Sequence, residues 1–101
     1  MNDDLTFQND VVLALVQALL GSIPASVEAI AVETSRAERR VDIHVALDPG
    51  RPAGDFMEEV IFDLDALTGG DLIIRSSVWS GPDWRQGWPG VDKRMVYAAA
   101  R

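Results

Sequence analysis

Two alternating runs on either side of a short polar stretch constrain this chain more than anything else in it. Val27-Glu28-Ala29-Ile30-Ala31-Val32-Glu33 is followed by Thr34-Ser35-Arg36-Ala37-Glu38-Arg39-Arg40, and then by Val41-Asp42-Ile43-His44-Val45-Ala46-Leu47. Apolar residues at 41, 43, 45 and 47 alternate with mostly polar ones, which is the period of a strand with one buried face. Two such runs around a polar connector predict an antiparallel hairpin. The register with Val32 opposite Val41, Ile30 opposite Ile43 and Glu33 opposite Arg40 aligns both apolar faces and adds an ion pair across the strands, so it is the expected one.

The rest of the chain fits around that hairpin. Val11, Val12, Leu15, Val16, Leu19, Leu20 and Ile23 recur at helical spacing, which predicts a helix over Phe7 to Leu20. Thr6 or a neighbouring Asn or Asp is the expected N-cap, and Gly21 with Pro24 is the stop signal. Residues 1–6 are expected to fray, and the broad apolar face of the helix to bury against the hairpin.

Beyond a Pro- and Gly-rich loop at 48–54, residues 55–67 set Met57, Val60, Ile61, Leu64 and Leu67 on one helical face. Asp55 and Glu58 have capping-box spacing, and Gly69 suits a C-terminal cap. Phe56, Val60, Phe62 and Leu64 would also alternate in a strand; the helix is preferred. Asp71 to Trp79 and Lys93 to Ala99 read as a third and a fourth strand, forming a second hairpin. The prolines at 82 and 89 and the glycines at 81, 87 and 90 rule out regular structure between them. The expectation is one α+β domain over residues 1–101, in the order α-β-β-α-β-β. Its four-stranded sheet is mainly antiparallel, with both helices on one face.

Charge narrows the function. The net charge is −7, spread unevenly: residues 1–72 hold 14 acids against 4 arginines, whereas residues 73–101 hold 5 basic residues against 2 acids. Such a body is repelled by nucleic acid and by anionic membranes, and drawn to a basic partner. With no cysteine, disulfides and thiolate metal sites are excluded. The acidic N-terminus lacks the basic start of a secretion signal, so a cytoplasmic location is the expectation.

Catalytic furniture is sparse. His44 is the sole histidine, on the polar side of the second strand; any Ser-His-Asp triad would have to use it, and no serine lies in a nucleophile-elbow pattern. Glu58, Glu59, Asp63 and Asp65 have spacings at which carboxylates can share a cation, but on a helix they belong mostly to its solvent face. No phosphate-cradling loop, zinc spacing or dinucleotide fingerprint is present. No enzyme activity, metal or cofactor is therefore expected. The tryptophans are more telling, because Trp84 and Trp88 flank Arg85 in an irregular loop, and Trp and Arg are the types enriched at interface hot spots. The competing role for this loop is structural, closing the open face of the sheet.

The run Leu15 to Leu47, a leading helix, the Gly21-Ser22-Ile23-Pro24 break and an acidic strand hairpin, resembles the small immunity proteins encoded beside bacterial antibacterial toxins, of the polymorphic-toxin or contact-dependent inhibition type. The resemblance implies a protein that holds a cognate toxin, often a basic nuclease or deaminase, and blocks its active site or substrate channel. On that expectation Asp42, Asp48, Glu58, Glu59, Asp63 and Asp65 steer a basic partner, and Trp84, Arg85 and Trp88 anchor it. The alternative is a non-catalytic accessory subunit that forms a homodimer through the Trp loop or a sheet edge.

Overall fold

The computed structural model describes residues 3–19, 23–50 and 55–99. In them two helices and four strands follow one another as α1 (Asp3–Leu19), β1 (Val27–Ser35), β2 (Arg40–Leu47), α2 (Phe56–Leu67), β3 (Ile73–Ser80) and β4 (Arg94–Ala98). The fold is α+β, with both helices packed on one face of a mixed sheet of order β3-β2-β1-β4.

Helix α1 begins at Asp3 rather than Phe7, so residues 3–6 are helical, and Thr6 lies inside the helix instead of capping it. Asp3 and Asp4 occupy the first turn, where carboxylates offset the helix dipole. The expected helix end at Leu20 and the stop residue Gly21 lie outside the described residues, and Pro24 follows beyond them in a non-helical segment. The buried stripe is narrower than the apolar periodicity suggests: Val11, Leu15 and Leu19 are buried, whereas Val16 is exposed. Helix α2 buries Phe56, Val60 and Leu64 at the same spacing of four. Asp55 is its N-cap but makes no side-chain capping bond, so the capping box does not form. At the other end Thr68 is the C-cap and Gly69 follows at φ +87°, the left-handed conformation a glycine adopts without strain. The Gly70 N–H then closes on the Asp65 carbonyl at 2.9 Å.

The first hairpin forms, but its register is slipped by two residues from the expected one. Val32 faces Ile43, Ile30 faces Val45, Glu33 faces Asp42, and Arg40 faces Ser35. An even slip keeps every side chain on its face, so the apolar pattern cannot distinguish the two registers. The expected Glu33–Arg40 pair does not form, and each residue takes other partners. Arg40 pairs with Glu38 and Asp42 on its own side of the turn, and Lys93 Nζ lies 3.4 Å from Glu33.

The second hairpin does not form. β3 runs parallel to β2 at one edge of the sheet, and β4 runs antiparallel to β1 at the other. A parallel neighbour needs a crossover, which α2 supplies. To reach β4 from β3 the chain must cross three strand spacings, roughly 14 Å. Residues 81–93 make that crossing on the face opposite the helices. The core is accordingly double. Val27, Ile30, Val32, Val41, Ile43 and Val45 meet the helices on one face, and Ala29, Ala31 and Ala46 meet Trp88 on the other.

Candidate partner-binding surface

On the loop-covered face, successive rows of side chains run across all four strands. The first row is ionic. Asp42 accepts from Arg75 Nε at 2.7 Å and from Arg40 Nε at 2.9 Å, and its side chain is only 14 % exposed. Burial pushes this carboxyl up, but the hydrogen bonds and positive charge of Arg75 and Arg40 outweigh it and hold the group below the usual carboxylate range. Asp42 is therefore paired within the sheet and little exposed, unlike the open carboxylate that steering a partner calls for.

The second row holds Ser77, His44 and Ala31. Ser77 Oγ lies 3.0 Å from His44 Nδ1. His44 Nε2 is buried and has no hydrogen-bond partner among the described residues. A serine and the histidine do meet, and among the described residues no carboxylate is bonded to the second ring nitrogen.

Over these rows lies the Trp loop. Three alanines, Ala29, Ala31 and Ala46, leave a flat depression on the sheet, and the Trp88 indole fills it at 2 % exposure. Trp88 is thus a core residue and not an exposed anchor, as its expected role required. Its neighbour Gly90 has no room for a side chain: a Cβ there would sit 2.5 Å from the Trp88 ring and 2.9 Å from His44 Cβ. Trp84 stands edge-on to Trp88, with centroids 5.6 Å apart and planes at 89°, and remains half-buried. Arg85 stacks on the outer side of Trp84, 4.5 Å from the ring centroid, and is itself exposed. Trp84 and Arg85 therefore form a preorganised aromatic-cation pair at the surface.

The carboxylates divide. Asp48 is half-buried at the end of β2, where its Oδ1 accepts from the Gly50 N–H at 3.0 Å. Glu58, Glu59 and Asp63 line a concave surface of about 500 Å³ together with Asp55 and Phe62. Among the described residues no basic side chain pairs with Asp55, Glu58, Glu59 or Asp63. Asp65 is half-buried and does not line that surface.

Phe62 is the residue that the sequence reading missed. It is 75 % exposed, and on α2 it has Glu58 and Glu59 one turn before it and Asp63 beside it. The signal was present: Val60 and Leu64 mark the buried stripe, and position 62 lies nearly opposite them on a helix.

Among the described residues no group of three or more His, Asp or Glu is placed to hold a metal ion, and no helix is long and apolar enough to cross a membrane. No protein-family model matches the chain, and no curated protein matches its sequence.

Proposed function

We propose that this protein is an acidic protein-binding module, an immunity protein that neutralises a cognate basic bacterial toxin, a nuclease or deaminase, by occluding its active site. The observation that carries the reading is the α2 surface: an exposed Phe62 set among Asp55, Glu58, Glu59 and Asp63, with no basic partner among the described residues. A carboxylate-rich surface draws a basic partner by long-range attraction, and a large exposed aromatic ring within it offers that partner an apolar contact to bury. Trp84 and Arg85 supply a second candidate contact, held ready by the buried Trp88 beneath them. The excess of acids over bases speaks against nucleic acid and membrane partners. A cytoplasmic location follows from the same reading, since that is where such a toxin acts on its host.

The test is binding of the purified protein to the protein encoded beside its gene. Reversing charge at Glu58 and Glu59 should slow association at low salt and matter little at high salt. An association rate independent of both salt and these residues would remove the steering role of α2.

A further inference from the structure

The outer edge of the sheet at β3 is unusually open. Ile73 donates its N–H to the Arg39 carbonyl at 2.7 Å, which turns its backbone toward β2. Backbone groups point alternately to the two sides of a strand, so Ile74, Ser76, Val78 and Ser80 turn theirs outward. Among the described residues no strand lies beyond β3. A row of unpaired donors and acceptors is a template for another strand, and folds ordinarily blunt it with a lysine, a proline, a bulge or a short strand. β4, at the opposite edge, shows two of these devices: it spans only 5 residues and is bulged against β1. β3 shows none. Its 8 residues pair with β2 without a register break, and neither lysine nor proline is among them. Ile73 and Val78 are 57 % and 56 % exposed, on opposite faces of the strand.

We propose that β3 is a self-association edge: two copies of the chain pair through it, antiparallel, across a two-fold axis at Ser76, joining two four-stranded sheets into one. For the faces to continue across the junction, facing residues must belong to the same side of the sheet. With Ser76 facing the second copy's Ser76, Ile74 faces Val78 on the helix side. On the loop side Ile73 faces Trp79, and Arg75 faces Ser77. Ile74, Ser76 and Val78 are the residues whose backbone groups point outward, so each of these facing pairs exchanges both hydrogen bonds.

Neighbouring registers are worse. Centring on Ser77 sets Ile74 against Ser80 and Val78 against Ser76, so apolar side chains face hydroxyls. Centring on Arg75 sets two guanidinium groups opposite one another, and like charges so placed are destabilising. Charge also selects this edge over the rest of the surface. Residues 72–82 contain no carboxylate in a chain of net charge −7, so two copies meet there with the least mutual repulsion. The inference stands apart from the toxin-binding reading and does not depend on any other protein.

Light scattering on the purified full chain tests it, with a mass twice the 11.0 kDa of one chain as the expected result. Val78→Lys, at an exposed position, should lower the association constant by at least about tenfold, by placing a charge against Ile74. Single-cysteine variants read the register directly, because the chain has no cysteine of its own. In the proposed register the Cα atoms of position 76 are about 5.5 Å apart, within disulfide reach, whereas those of position 77 are about 8 Å apart and beyond it. Ser76→Cys should therefore cross-link under mild oxidation much faster than Ser77→Cys. A monomeric mass, a dimer undisturbed by Val78→Lys, or equal cross-linking at the two positions would overturn the proposal.

Discussion

Glu33 and Asp42 face one another directly across the central β1–β2 ladder, and each is neutralised by a base from outside the hairpin. Lys93, just ahead of β4, meets Glu33 at 3.4 Å, and Arg75 on β3 meets Asp42 at 2.7 Å, with Arg40 closing on Asp42 at 2.9 Å. Opposed carboxylates at the centre of a sheet are destabilising unless compensated. Within the hairpin Arg40 offsets only Asp42, so the opposed pair is compensated in full once β3 and the segment ahead of β4 are also in place.

The pH dependence of stability follows. The Asp42 carboxyl titrates below its usual range in the folded chain, so its contribution is fully present above the unfolded value of about 3.9 and is lost as pH falls through the folded value. Arg75→Gln should lower stability at neutral pH, and the difference from the parent chain should shrink steadily below about pH 4. Urea denaturation of both proteins across the acid range measures this. A difference that stays constant with pH would mean that Arg75 acts through packing and not through Asp42.

Trp88 and Trp84 belong to the same loop but should differ sharply when truncated. Trp88→Ala empties a fully buried site on the alanine patch and should cost about 3–5 kcal/mol. Trp84→Ala removes a half-buried ring stacked against Arg85 and should cost clearly less. Chemical denaturation separates the two, and equal losses would show that Trp88 is not the residue pinning the loop.

Gly90 is confined between the Trp88 ring and the strand beneath. A Cβ at that position meets ring carbons at 2.5 and 2.7 Å and His44 Cβ at 2.9 Å. Gly90→Ala should destabilise by about 1–3 kcal/mol through overpacking. It should also shift the tryptophan fluorescence, because the indole must move. An unchanged spectrum together with unchanged stability would contradict the close approach.

The elements were legible in the sequence because their periods are local properties. Val11, Leu15 and Leu19, or Ile43 and Val45, announce a helix and a strand without reference to anything distant. Strand partners were not legible in the same way. Alternation assigns a face to each residue but no neighbour, so Ile74 and Tyr97 read as members of one hairpin although they lie at opposite edges of the sheet. The hairpin register failed for a related reason. The Glu33–Arg40 pair was the only electrostatic argument inside the hairpin, and Lys93 and Arg75, which override it, come from remote sequence.

The candidate site was legible in part. The acids of α2 were evident from composition, and Trp84 with Arg85 from residue type. The burial of Trp88 could have been suspected from Ala29 and Ala31, two small residues at outward positions of β1 where a solvated strand would carry polar ones. Phe62 was obscured because the apolar residues of its segment fit a strand as well as a helix.

The central claim is that the Phe62 surface of α2 meets a basic protein partner. Phe62 makes no contribution to the buried core, so Phe62→Ala should leave unfolding stability within about 0.5 kcal/mol of the parent. The decisive measurement is the affinity of the parent chain, Phe62→Ala and the Glu58→Lys, Glu59→Lys double variant for the protein encoded beside the gene, at low and at high salt. The account predicts tight binding by the parent, a loss of about 2 kcal/mol or more in Phe62→Ala at both salt concentrations, and slowed association in the charge variant at low salt. Tight binding that none of these substitutions alters, or no binding by the parent chain at all, would contradict it.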